Sequence, residues 1–311
     1  MKKISEEFKD FLKNNKDIEP LISQIRMDST LDCEIREKKL QVYYRGAELF
    51  SLEENGRKFF FTKAKNSIIE MHKEEICKES IQNMYENIIS ERKNKLDLIK
   101  ENGPEGSERE VQQLIVRENN LNSNAEKTDY YIVDIEDADS SLGLRFDMLA
   151  VRTLYDGKDR STPPKRFAII ELKYSDGAVD SGESSLKKHF SDLENFLKDE
   201  TFFSNLKDQI RYLFNLKLEL GLLSKPKVKN DFMIKDNGLS EKPEYIIILA
   251  NYNRNKLSNL HDLLIEIKRE YNEVFEKFDV KFATAAFMGY GLYSNFMLSY
   301  DEFLERLTKM K

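Results

Sequence analysis

The run Arg166-Phe-Ala-Ile-Ile-Glu171-Leu-Lys173-Tyr174 ends a short apolar stretch on a carboxylate, an apolar residue and an amine. Alternation along a strand turns the side chains of Glu171 and Lys173 to the same face. A metal-dependent phosphodiester-cleaving site needs both there: a hard oxygen for a divalent cation, and a positive group for a water or a phosphate. Composition alone supplies about nine acid-x-base triplets in 311 residues carrying 56 acids and 50 bases, so this triplet needs support from its context. On position alone, a strand fraying into solvent with both charges wet explains it equally well.

Two further carboxylates give context. Asp147 lies inside Leu144-Arg-Phe-Asp147-Met-Leu-Ala-Val151, a largely apolar run where a lone Asp costs free energy unless it is paired or bound to metal. The link Asp156-Gly-Lys-Asp-Arg-Ser-Thr-Pro-Pro-Lys165 reads as a hairpin loop, and antiparallel pairing across it brings Asp147 beside Glu171. An ion pair with Arg145 or Arg152 is the structural alternative for Asp147. Glu108 sits in Ser107-Glu-Arg-Glu-Val-Gln-Gln-Leu-Ile115, on the inward edge of the first turn of a helix whose apolar stripe is Val111, Leu114 and Ile115. Glu110 has another explanation, because Ser107 and Glu110 match a capping box.

The elements that must position these residues follow from periodicity. A short amphipathic helix is expected over 3–14, then strands at 40–44 and 58–62 with turn chemistry at Glu54-Asn-Gly-Arg57, then one or two exposed-faced helices over 66–100. Glu101-Asn-Gly-Pro-Glu-Gly-Ser107 is the best boundary in the chain. It divides an N-terminal α+β region, 1–103, from a second domain, 104–311. Beyond it we expect a helix over 107–119, strands at 130–136, 144–152 and 166–174, helices at 184–198 and 201–220, a strand at 245–250, a helix at 256–277 and a strand at 281–287. This is an α/β fold with a mixed central sheet flanked by helices.

The composition sets outer bounds. A net charge of -6 argues against nonspecific coating of nucleic acid but leaves room for a local basic groove. Cys33 and Cys77 cannot form a disulfide framework, so a reducing compartment is the simpler expectation. No apolar run reaches the roughly 20 residues of a membrane span, and the start lacks the apolar segment of a signal peptide. A cytoplasmic protein without a membrane partner is expected. The Lys-, Asn- and Ile-rich style fits a bacterium with an AT-rich genome.

A helix Glu, a strand Asp and Glu-x-Lys on the next strand resemble the PD-(D/E)xK nuclease superfamily, and the Glu-Arg-Glu stretch opening the helix is similar to that of archaeal Holliday-junction resolvases. The resemblance covers roughly 105–290. It implies a restriction-endonuclease-like core in the order α-β-β-β-α-β, with Glu108, Asp147, Glu171 and Lys173 at the four site positions. The usual Pro before the Asp is replaced by Phe146. On this reading Asp147 and Glu171 ligate Mg²⁺ or Mn²⁺ together with the Leu172 carbonyl, and Glu108 holds a second metal or positions water. Lys173 orients or deprotonates the water, or holds the scissile phosphate. The implied partner is nucleic acid, DNA before RNA, with a homodimer left open and a role in restriction or defence against mobile DNA. The rival expectation is an inactive nuclease-fold module that binds nucleic acid or a protein.

Weaker candidates accompany the main ones. Asp134 and Glu136 share a face and either approach the metals or form a solvated edge, with the edge favoured. Lys187, Lys188, His189 and Asp192 follow the triplet on a helix and either contact phosphate or are structural. Lys158, Arg160, Lys165 and Arg166 form either a phosphate patch or a solubilising loop. Tyr43-Tyr44-Arg45-Gly46 stacks on a base or, more in keeping with its setting, packs a hairpin. Gly289-Tyr-Gly291 is too short for a nucleotide fingerprint, and His72, His189 and His261 are too scattered for a zinc site.

Overall fold

The computed structural model describes residues 2–56, 58–63, 73–76, 81, 89–101, 108–121, 127–139, 144–153, 163–174, 185–223, 232–250, 257–285 and 290–309. Several expectations therefore lie outside the described residues: most of the 66–88 segment with His72 and Cys77, the 102–107 boundary with Ser107, Lys158 and Arg160 of the loop, and Gly289. The chain divides into two compact units, Met1–Ala125 with Leu216–Ser224, and Glu126–Asn215 with Lys225–Lys311. This division differs from the boundary expected at residue 103, because the helix after that boundary clusters with the first unit. Among the described residues no helix is long and apolar enough to cross a membrane.

The first unit opens with α1 (Glu6–Asn14) and α2 (Glu19–Met27). Ser5 caps α1 by accepting the Phe8 N–H, and Phe8 and Leu12 bury its apolar side. A five-stranded antiparallel meander follows, β1 (Leu31–Arg36), β2 (Lys39–Tyr44), β3 (Ala47–Asn55), β4 (Lys58–Lys63) and β5 (Lys73–Glu75). Helices α3 (Ile89–Glu101) and α4 (Glu108–Asn120) complete it. Helix α2 and strand β1 have no counterpart among the elements expected from periodicity.

The Tyr43-Tyr44-Arg45-Gly46 stretch is a hairpin turn. Arg45 and Gly46 both have positive φ, 49° and 74°, as a two-residue turn matched to strand twist requires. A Cβ on Gly46 would stand 2.7 Å from the Glu110 nitrogen, so only glycine lets α4 come this close. Arg45 pairs with Glu110 at 2.7 Å and with Asp97 at 2.9 Å, and Tyr44 donates to Asp97. Gln113 donates to the Tyr43 carbonyl.

The second unit is built on a six-stranded sheet. Its strands are β6 (Tyr130–Asp139), β7 (Leu144–Arg152), β8 (Arg166–Tyr174), β9 (Glu244–Ala250), β10 (Asp279–Ala285) and β11 (Leu298–Ser299), in the spatial order β11-β10-β9-β8-β7-β6. Pairs β6·β7, β7·β8 and β10·β11 are antiparallel, and β8·β9 and β9·β10 are parallel. The sheet is therefore mixed, as expected. Every residue of β9 is buried, the pattern of a strand covered on both faces.

Helices α5 (Leu186–Leu197), α6 (Glu200–Glu219), α7 (Leu257–Glu270), α8 (Asn272–Lys277) and α9 (Tyr300–Thr308) accompany these strands. The last turn of α6 counts with the first unit. The single helix expected over 256–277 is two, divided at Tyr271, which is buried and packs on Phe190 with ring centroids 6.5 Å apart. Helix α9, closed at its start by a Ser299–Glu302 capping box, had no counterpart in the sequence reading.

Candidate active site

The site grows from the end of the β7·β8 ladder. The last paired residues there are Met148 and Ile170, and one step further along each strand stand Asp147 and Glu171. At that point the Asp147 side chain takes over from the ladder, its Oδ2 accepting the Leu172 N–H at 2.8 Å. The antiparallel pairing inferred from the hairpin loop thus brings Asp147 to Glu171.

Burial decides against a fraying strand end. Glu171 and Lys173 are each 2% exposed and Asp147 is 7% exposed. Lys173 Nζ donates to Glu171 Oε1 at 2.7 Å. Arg152, one alternative partner for Asp147, pairs instead with the fully buried Glu244 at 2.9 Å. The Arg145 side chain, the other alternative, lies outside the described residues.

Two acids this close and this buried cannot both carry their charge cheaply. Burial pushes the Glu171 carboxyl well above the ordinary carboxylate range, the Asp147 charge pushes it further, and Lys173 pulls against both. Tyr245 of β9 lies two residues before Ile247, which pairs with Glu171. Burial raises its phenol well above the usual value, and the charges of Glu171 and Asp147 add to that.

Helix α5 brings a fourth group. Ser185 caps it by accepting the Lys188 N–H, and Leu186, Phe190, Leu193 and Phe196 are buried along one side. The Phe190 ring meets Tyr245 edge-on at 5.2 Å. The neighbouring His189 thereby places Nε2 3.0 Å from Glu171 Oε1, a contact that is an ion pair when the imidazole is protonated and is not an aligned hydrogen bond. The helix periodicity places His189 near the polar side, yet it stands three residues after Leu186 and four before Leu193, at the border of the apolar stripe. Lys188 pairs with Asp192, and Lys187 with Glu266 and Glu270.

The remaining expected residues divide. Glu108 opens α4 and is half-buried, but α4 clusters with the first unit, whereas Asp147, Glu171 and Lys173 belong to the second. The buried side of α4 also differs from the expected stripe: Leu114 is half-exposed, while Gln112, Gln113, Asn119 and Asn120 are buried. Asp134 is fully buried rather than on a solvated edge, and its Oδ1 accepts the Ile135 N–H. A β-bulge between Ile132 and Asp134 offsets the strand there, and Glu136 has a φ of 51°. Arg166 is not a free phosphate contact, since it pairs with Asp279 at 2.7 Å and approaches Glu244 at 3.4 Å. Lys165 is exposed.

The donor set fits a hard divalent cation. Asp147 and Glu171 offer buried carboxylate oxygens whose mutual repulsion a bound cation would relieve. Among the described residues no three His, Cys, Asp or Glu side chains converge to hold a metal ion. Mg²⁺ needs no such cage, because it keeps several waters and takes one or two carboxylates. Comparisons with protein-family models, with curated proteins and with solved structures found no match to this chain.

Proposed function

We propose that this protein is a divalent-metal-dependent nuclease of the PD-(D/E)xK kind, acting on phosphodiester bonds, with DNA favoured over RNA. One observation carries the reading: Asp147, Glu171 and Lys173, distant or ambiguous in sequence, are buried together where β7 and β8 stop pairing. Burying two acids and an amine at a strand end is costly, and a site that gathers them does so for chemistry more readily than for stability. A bound Mg²⁺ or Mn²⁺ would supply charge neutralisation at a phosphate oxygen and acidify a water.

The chain's own residues do the rest. Asp147, fixed by the Leu172 N–H, and Glu171 supply the negative pole that holds the cation. Lys173 offers an ammonium to a non-bridging phosphate oxygen or to the attacking water. Water adds to phosphorus, the bond to one ester oxygen breaks, and that oxygen leaves with a proton. Residues 1–103 are proposed to choose the substrate or a partner, and restriction or defence against mobile DNA is the proposed setting.

A second reading has its own support. Glu171 Oε1 is already engaged by both Lys173 and His189. A carboxylate so held also suits an inactive nuclease fold that binds nucleic acid or a protein. The test is incubation of the full chain with single- and double-stranded DNA and RNA in Mg²⁺, Mn²⁺ or EDTA. Cleavage that EDTA and Lys173→Ala both abolish, with the variant folded, supports the enzyme. Inactivity on all four substrates with no metal bound leaves the binding module.

A further inference from the structure

His189, a weaker candidate in the sequence, reaches the buried Glu171 with Nε2 3.0 Å from Oε1. Its position is built rather than incidental. The Ser185 cap sets where α5 begins, and the Phe190 ring against Tyr245 sets its rotation over the sheet. Tyr245 is two residues from the partner of Glu171 in β9, so the contact that anchors Phe190 also fixes His189 above Glu171. The two lysines before it in the helix are held by carboxylates of α5 and α7.

Both nitrogen groups meet Glu171 at the same oxygen, Lys173 Nζ at 2.7 Å and His189 Nε2 at 3.0 Å. We propose that His189 is a positioning residue of this site, which with Lys173 grips Glu171 at Oε1 and thereby presents the carboxylate beside Asp147 to a divalent cation. The proposal rests on the metal-dependent reading above. A carboxylate held at one oxygen loses its rotational freedom before the cation arrives, so less order has to be imposed on binding. Packing alone does not require an imidazole here, because the neighbouring buried positions 186, 190 and 193 are filled by Leu and Phe.

The experiment is calorimetric titration of Mn²⁺ alone into the full chain, without nucleic acid, for the native protein and for His189→Ala, His189→Gln and Glu171→Gln, with a thermal melt of each. Outer partners of metal ligands are worth about 10- to 100-fold in metal affinity. His189→Ala is expected to weaken Mn²⁺ binding about tenfold, and His189→Gln, whose amide nitrogen can occupy the place of Nε2, to recover most of it. A merely structural His189 predicts a lower melting temperature without that recovery. If His189→Ala does not fold, His189→Leu replaces it as the variant without a nitrogen: a roughly tenfold loss that His189→Gln does not share supports the role, and native affinity in both overturns it. If Glu171→Gln loses Mn²⁺ while His189→Ala binds like the native protein, the His189 role is wrong and the metal site stands. If the native protein takes up no Mn²⁺, both fall.

Discussion

The carboxylate of Asp147 accepts the Leu172 N–H at 2.8 Å, at the place where the β7·β8 ladder ends. A side chain thus does for Leu172 what a backbone carbonyl would do in a continued ladder. The same bond holds Asp147 beside Glu171 whether or not a cation is present.

Asp147→Ala and Asp147→Asn should therefore behave differently. The alanine variant strands a buried N–H and is expected to lose about 1–3 kcal/mol. The asparagine variant can still accept that N–H through its carbonyl oxygen, and it removes the charge that opposes Glu171. It is expected to match or exceed native stability in EDTA while losing Mn²⁺ binding and cleavage. Urea denaturation in EDTA checks this, and equal destabilisation of the two variants would count against the bond.

Lys173→Met tests the electrostatics of the pair. Removing one partner of a buried ion pair costs about 3–5 kcal/mol, because the remaining charge is left uncompensated. A divalent cation can replace the missing ammonium as counter-charge. Saturating Mn²⁺ is expected to raise the melting temperature more in Lys173→Met than in the native protein. Differential scanning calorimetry with and without Mn²⁺ reads the difference, and no shift in either protein contradicts a cation at the two acids.

The alkaline limit of stability should carry a contribution from Tyr43. Burial pushes its phenol up to about 12, with Glu48 and Glu34 adding to the rise against the opposing charge of Arg36. Its folded value lies above its unfolded value near 10, so the stabilisation is complete below pH 10 and is lost as the pH rises from 10 through 12. Tyr43→Phe has no proton to lose and should remove on the order of 2 kcal/mol of that decline. Denaturation midpoints of both proteins at pH 9 and pH 11.5 measure it, and parallel declines would rule the contribution out.

Gln112 is fully buried, and among the described residues neither polar atom of its amide has a hydrogen-bond partner. A buried amide without partners costs about 1–3 kcal/mol. Gln112→Leu has a similar volume and should stabilise the protein by about 1 kcal/mol. A lower unfolding midpoint for this variant would show that the amide has a use that outweighs its cost.

What the sequence revealed followed from repetition along the chain. Strands β7 and β8 were legible because their apolar runs are long and bounded by turn residues, and Glu171 and Lys173 were legible because they interrupt such a run. What stayed hidden depended on partners far away. The alternation of Asp134 and Glu136 looks like a wet edge, and only the fold buries Asp134. The break at Tyr271 has no Gly or Pro to announce it, since it comes from ring packing on Phe190. His189 looks polar until Phe190 finds Tyr245.

The final turn of α6 carries one more consequence. Lys217 reaches Glu34 of β1 at 2.8 Å across 183 positions of chain, and both side chains are buried. The first unit is therefore not a cassette that recombination or a truncating protease could separate by one cut. A fragment ending at residue 125 would keep Glu34 but lose its nearest cation, leaving Arg36 at 3.7 Å. The N-terminal unit becomes complete only after the ribosome has passed residue 224, so its folding during synthesis waits for most of the protein to be made.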